Sequence, residues 1–256
     1  VFKILLKSAR LLSWYTIGGG TGVQTIDVVH NLEQVRRRLA AAAGRAGRDP
    51  ETVGLVAVSK DVGPEQIRKA LEAGVQVFGE SRVQELAGKY PELPGARWHF
   101  IGHLQRNKVK YLVGRVELIH SLDRWSLAEE LDRRAREQGR PFRVLVQVRA
   151  GADEGKLGVG AAEVGDFVSR VAGLGGLDVE GIMVIAPFVE DPEQTRPYFR
   201  AVKRLFDSLA DVPGFKGRYL SMGMSGDFEV AVEEGANLVR VGTAVFGPRK
   251  CTLREG

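Results

Sequence analysis

The sequence holds a single cysteine, Cys251, in 256 residues. No disulfide framework can form within the chain, which fits a reducing compartment such as the cytoplasm. Long apolar runs are also missing. In residues 1–26, VFKILLKSARLLSWYTIGGGTGVQTI, lysine and arginine interrupt each apolar stretch. That excludes a transmembrane helix, and neither a signal-peptide core nor a small-residue cleavage site is present. Ile17-Gly18-Gly19-Gly20-Thr21-Gly22 reads as a flexible linker. Residues 1–26 are therefore expected to be an extension outside the fold, of the kind an upstream start would add, with a membrane-surface anchor as the second reading. Net charge is +5, but the basic residues are mixed with acids along helical stretches. The densest run, Arg36-Arg37-Arg38, reads as a solvated helix face, so no nucleic-acid partner is inferred. Internal repeats, low-complexity segments and a recognisable metal-ligand spacing are absent.

What the chain does have is alternation. Asp27 to Gly47 carries apolar residues at helical spacing (Val28, Leu32, Val35, Leu39, Ala42), with Asp27 as N-cap. Strand-like runs then recur at 53–59, 75–78, 97–101, 116–121, 142–149, 178–185, 217–221 and 238–241. Between them lie helical stretches at 64–73, 81–90, 104–113, 124–138, 161–174, 192–209 and 226–234. The last strand lacks an evident helix, which would come from the short tail or be absent. Eight strands in βα alternation predict an α/β fold, a closed (β/α)8 TIM barrel with one extra N-terminal helix, spanning 27–256 as a single domain. A doubly wound open sheet is the runner-up. No glycine fingerprint follows the first strand to favour a dinucleotide site.

In such a barrel the loops after the strands form the active face. Lys60 directly follows the apolar run VGLVAVS (53–59). The segment YLSMGMSGDFEVAVEEGANLVRVGTAVFG (219–247) gives the strongest site signal. Ser221-Met222-Gly223-Met224-Ser225-Gly226 follows one strand, and Arg240-Val241-Gly242-Thr243 closes the next. Bare backbone, hydroxyls and a helix start make a phosphate cradle, in the slots where barrels place one. A primary amine facing a phosphate cradle suggests pyridoxal 5′-phosphate, whose aldehyde takes a lysine in a Schiff base.

Six ordered blocks carry a closer likeness: LVAVSK (55–60), FGESRVQE (78–85), WHFIGHLQRNK (98–108), HSLD (120–123), LSMGMSGDFEVAVEEG (220–235) and VRVGTAVFG (239–247). Together they resemble the YggS/PROSC family of pyridoxal phosphate homeostasis proteins. The resemblance implies a fold-type-III barrel, similar to the N-terminal domain of alanine racemase, with the cofactor on Lys60. It implies Arg240 facing the pyridine nitrogen, Ser225, Gly242 and Thr243 on the phosphate, and Ser221 and Met222 close by. Asn107 and Lys108 would be rim or loop-ordering residues. Family members usually carry asparagine where this chain has Ser81, near the ring hydroxyl. The shorter serine puts that contact in doubt.

A guanidinium beside the ring nitrogen disfavours pyridinium and weakens the cofactor as an electron sink. The racemases of this fold add a tyrosine from a C-terminal β domain of the partner subunit. The sequence gives nine residues after Gly247, and the expectation is a chain without that domain and a monomer. Tyr219 is expected to pack against the barrel, and His99 and His103 are possible proton carriers best read as satisfied or solvent-facing. The reading is a cofactor carrier that stores pyridoxal phosphate and delivers it to apo-enzymes, with no fast reaction of its own. A racemase-type enzyme and a phosphosugar-binding barrel are the alternatives.

Overall fold

The computed structural model describes residues 26–149 and 157–248. The segment read as an extension, apart from Ile26, lies outside those residues, as do Cys251 and most of the loop after the fifth strand. Eight parallel strands close in sequence order: β1 Gly54–Val58, β2 Val77–Glu80, β3 Arg97–Phe100, β4 Leu118–Leu122, β5 Phe142–Val148, β6 Leu177–Val184, β7 Phe215–Ser221 and β8 Leu238–Val241. β1 pairs with β8, with Gly54 opposite Leu238 and Val56 opposite Arg240. The closed barrel is the expected one.

The helices are α1 Val28–Arg45, α2 Pro64–Glu72, α3 Val83–Lys89, α4 Trp125–Gln138, α5 Val164–Ala172, α6 Arg196–Ser208, α7 Phe228–Glu233 and α8 Thr243–Phe246. Asp27 caps α1 as expected, its side chain accepting the His30 N–H at 2.9 Å. Gly139 ends α4 in the left-handed conformation, with φ of 68°.

Several boundaries differ from the expectation by two or three residues, and two segments show why. The strand expected at 75–78 begins at Val77 because Val75 is used to stop α2. Its N–H bonds the Ala70 carbonyl, Gly74 N–H bonds Leu71, and Gly74 takes φ of 83°. This is the paired hydrogen bonding of a Schellman stop. The helix expected at 104–113 is instead a 3₁₀ segment, Arg106–Tyr111. Its buried anchors Val109 and Leu112 are three residues apart and joined by an i→i+3 bond, the spacing of a 3₁₀ turn.

The eighth helix is present but is one short turn, α8. The outer layer beside it is filled by α1, which packs against α7, α8 and α2. Val28, Leu32, Val35, Leu39, Ala42 and Ala43 form its buried face. Asn31 donates to the Val245 carbonyl of α8 at 3.0 Å, and Arg48 to Val232 and Ala236 at 2.7 and 2.8 Å. Of the arginine run, Arg38 is not merely solvated: it pairs with Glu229 of α7 at 2.7 Å and lies over the Phe228 ring.

Two cores result. The larger joins strands to helices. The smaller consists of strand residues, Val56, Leu118, Leu145, Met183 and Leu238, with Val77 and Tyr219 against them. It fills the barrel interior, and Tyr219 is part of it, as expected.

Because α1 supplies the missing wall, truncating its stripe should unfold the whole barrel. Leu32→Ala, at a fully buried position, is expected to cost about 2–5 kcal/mol, read as a lowered urea midpoint with an unchanged slope.

Candidate functional site

Above the apolar interior layer lies a polar one. His99, His120, Ser221 and Arg240, from four strands, point inward and are buried. They form one continuous chain. Arg240 Nη1 donates to Ser221 Oγ at 2.6 Å, Ser221 Oγ meets His120 Nδ1 at 3.1 Å, and His120 Nε2 meets His99 Nδ1 at 3.0 Å. Arg240 Nη2 donates to the Val184 carbonyl at 2.8 Å.

Burial sets the charges in this layer. It pulls His99 down from 6.5 to about 3, helped by the cations Arg97 and Arg143. It pushes His120 well below its ordinary value, with His99 and Arg240 adding to the effect. Both imidazoles are therefore neutral at pH 7. Burial also lowers Arg240 to about 10, with the Asp227 carboxylate acting the other way, so the guanidinium keeps its charge. Its two hydrogen-bonded acceptors are neutral, and no carboxylate contacts it among the described residues.

Lys60 stands just past β1, half-buried. Its amine makes no hydrogen bond or ion pair among the described residues. Around it the backbone is tightly held. Ser59 Oγ donates to Glu80 Oε1 at 2.8 Å, and Glu80 Oε2 accepts the Ser81 N–H at 3.3 Å. Lys89 Nζ, from α3, reaches Glu80 Oε1 at 2.6 Å, Glu85 Oε2 at 3.0 Å and the Ser59 carbonyl at 2.7 Å. Burial pushes the Glu80 carboxyl up, opposed by its bonds to Lys89 and Ser59.

Ser81 lies on the loop after β2, with its Oγ buried and unpartnered. It packs against Gly102, where a Cβ would come within 2.2 Å of the Ser81 carbonyl oxygen. A side chain at 102 would therefore displace Ser81.

The loops after β7 and β8 are joined by Ser225. Its Oγ accepts the N–H groups of Gly242 at 3.1 Å and Ala244 at 3.3 Å, leaving its own hydrogen free to donate. Thr243 is exposed beside it. Gly223 turns this loop at φ of 91°, and a Cβ there would strike Ala231 at 2.6 Å. Asp227 Oδ1 accepts the Met224 N–H at 2.6 Å.

Lys60, Ser81, Arg240, Ser225, Gly242 and Thr243 thus all lie at the strand ends of one barrel face. Two others are placed differently. Ser221 is spent on the Arg240–His120 chain. Met222 is fully buried in the outer core, because strand alternation turns it away from the interior that Ser221 enters. Asn107 lines a separate surface groove with Gln105, Arg106, Arg124 and Glu130. His103 is exposed and faces Asp123 at 3.4 Å.

His120, Glu80 and Lys89 were not singled out from the sequence. For His120 and Glu80 the available signal was a polar residue inside an apolar strand run. A cavity of about 1080 Å³ opens over the ends of β5 to β7, lined by Gln147, Ile185, Phe188, Met224, Gly226 and Asp227 among others. It shares the β7 loop with the site but is not lined by Lys60 or Arg240. Among the described residues there is no cluster fit for a metal ion, and no helix long and apolar enough to cross a membrane.

Residues 28–250 match the family model described as alanine racemase, N-terminal domain. The chain is 45% identical over 227 residues to the pyridoxal phosphate homeostasis protein of Aquifex aeolicus, covering 88% of this chain and all of that protein. Against the protein of the same name from Escherichia coli K12 the identity is 37% over 233 residues, covering 87% and 97%. The structure of PipY from Synechococcus elongatus with pyridoxal phosphate bound superposes with a TM-score of 0.75 at 36% identity, covering 86% of this chain and all of that one.

The neutral histidines make stability depend on pH. The folded value of His99 lies below its unfolded one, so the unfolded state binds the extra proton between pH 6.5 and about 3. Stability is complete above that window and falls as pH drops through it, by about 1.4 kcal/mol per pH unit for this one imidazole. Urea titrations across the window should show His99→Gln with a shallower dependence than the unsubstituted protein.

Proposed function

This chain belongs to the alanine racemase N-terminal-domain family, in its pyridoxal phosphate homeostasis branch, and from that premise we propose that it carries pyridoxal 5′-phosphate on Lys60. When bound, the cofactor supplies an aldehyde that condenses with a primary amine and a ring that withdraws electrons. The observation that carries the proposal is a half-buried amine and a buried guanidinium at the same end of the barrel. Among the described residues the Lys60 amine has no hydrogen-bond or ion-pair partner, and Arg240 is a buried guanidinium that makes no direct contact with a carboxylate. Buried charges are ordinarily paired, so a cation held this way is set up for an acceptor that arrives with a ligand.

The other residues fit the same molecule. Arg240 uses two N–H groups on Ser221 and Val184 and has three left, enough to donate to a ring nitrogen. Ser225 and Thr243 offer hydroxyl donors where the phosphate would sit, next to the bare backbone of Gly242. The unpartnered Ser81 hydroxyl suits the ring hydroxyl, directly or through a water.

The carrier role follows from what surrounds the amine. A cation at the ring nitrogen keeps the ring unprotonated and a poor store for carbanion charge. Tyr219 is packed in the apolar interior with its hydroxyl near Arg143. It is not offered to a ligand on Lys60. We therefore assign storage of the cofactor and its delivery to apo-enzymes, by a monomer and in the cytoplasm, where the single cysteine suits reducing conditions.

The purified protein should show the visible band of a protonated Schiff base. Borohydride should fix the cofactor on the peptide containing Lys60, as read by mass mapping, and Lys60→Ala should abolish both signals. A phosphosugar-binding barrel would give no band. Amino-acid α-proton exchange above that of free cofactor would turn the assignment to a racemase-type enzyme.

A further inference from the structure

Both peptide groups that flank Lys60 are tied to α3. The Ser59 carbonyl, on the N-terminal side, accepts Lys89 Nζ at 2.7 Å. The Asp61 N–H, on the C-terminal side, donates to Glu85 Oε2 at 2.9 Å. That same Glu85 oxygen accepts Lys89 Nζ at 3.0 Å, so the two ties close into one loop of hydrogen bonds around the residue. Peptide groups are planar, and only φ and ψ at each Cα are soft. With both neighbouring planes pinned, those two angles at Lys60 are fixed and only the side chain can still move.

The setting supports a constraint under load. Asp61 takes φ of 60°, a left-handed conformation unusual for a residue with a side chain. Arg82 helps hold it there, reaching Asp61 Oδ1 at 2.6 Å and Glu85 Oε1 at 2.8 Å. Burial would raise the Glu85 carboxyl, but its bonds to Asp61, Lys89 and Arg82 outweigh that and keep it below the usual carboxylate range. Lys89 has all three N–H groups engaged, on Ser59, Glu80 and Glu85. It therefore offers no lone pair, although it lies next to Lys60 in space.

We propose that Glu85 and Lys89 are positioning residues that clamp the backbone of Lys60, so that its amine meets an incoming aldehyde in one orientation and the neighbouring lysine does not compete. The proposal rests on the cofactor assignment above for its ligand, but the clamp itself is a property of the protein alone.

Two readouts test it. The first needs no cofactor: amide hydrogen exchange at Asp61. Protection there should be strong in the unsubstituted protein, lost in Glu85→Ala, and kept in Glu85→Gln, which still presents an oxygen to the N–H. The second is the rate at which apo-protein captures added pyridoxal phosphate, followed by absorbance. Glu85→Ala should capture about 10-fold or more slowly, and Glu85→Gln should recover most of that rate. Both substitutions remove the carboxylate charge, so a role through ion pairing or stability alone would slow them equally, and that result overturns the clamp.

The Lys89 side is tested with Glu80→Gln/Lys89→Met, which avoids leaving a buried charge unpaired. It should also capture about 10-fold or more slowly, with an unchanged circular dichroism spectrum. Asp61 exchange unaffected by Glu85→Ala, or capture at the unsubstituted rate in both Glu85→Ala and the double variant, refutes the proposal. Absence of any borohydride adduct on position 60 in the unsubstituted protein would instead refute the cofactor assignment, while the exchange result would still decide the clamp.

Discussion

The pairing of β1 with β8 is the contact on which the candidate site depends. It joins strands separated by most of the chain and sets Val56 opposite Arg240 and Ala57 opposite Val241. That register places Lys60, three residues beyond Ala57, at the same end of the barrel as Gly242 and Thr243. Because side chains alternate along a strand, a slip of one residue would send Arg240 outward to the helices and bring Val239 or Val241 inside. The register is protected by the interior packing below it, where Val56 and Leu238 meet Leu118, Leu145 and Met183. An apolar plug at the bottom of the barrel thereby fixes the placement of an amine and a guanidinium at the top.

The polar layer over that plug is the costly part of the fold. A buried guanidinium with only neutral acceptors and two neutral imidazoles give up a great deal of hydration. Hydrogen bonds recover part of it: each ring nitrogen that faces the chain has a partner, and Ser221 links the histidines to Arg240. The arrangement holds the arginine rigid, since Val184 and Ser221 fix both of its terminal nitrogens. A rigid donor suits a planar ring better than a mobile one.

Much of this architecture was legible from local chemistry. The runs of Val, Leu and Ala that end in Lys60 and in Arg240 marked strands, and Asp27 and Gly139 marked helix ends through capping rules that need no tertiary context. Val75 shows where that logic fails. It looks like strand, but a helix stop claimed its N–H, and sequence alone does not show which of two local demands wins. The 3₁₀ segment at 106–111 failed for a related reason, as buried residues three apart fit either helix type until the packing is known. In the site, the loop residues were legible because turns and cradles have distinctive compositions. His120 and Glu80 were not, because a single polar residue inside an apolar run is equally consistent with a pairing across the barrel and with exposure at a strand end. Lys89 looked like one more lysine on a helix, and only the fold brings it under Ser59. Met222 shows the converse: likeness to a family marks a stretch of chain, whereas alternation decides which of its side chains face the site.

The docking of α1 has a consequence for how the protein is made. This helix is synthesised before the eight strands of the barrel, yet the surfaces that cover its apolar stripe belong largely to α7 and α8, which follow the seventh and eighth strands. At ordinary translation speeds the stripe waits roughly 10 to 40 seconds for those partners. During that interval Leu32, Val35 and Leu39 are open to any hydrophobic surface nearby. The contact of α1 with the barrel is therefore completed only after β8 and α8 have been made.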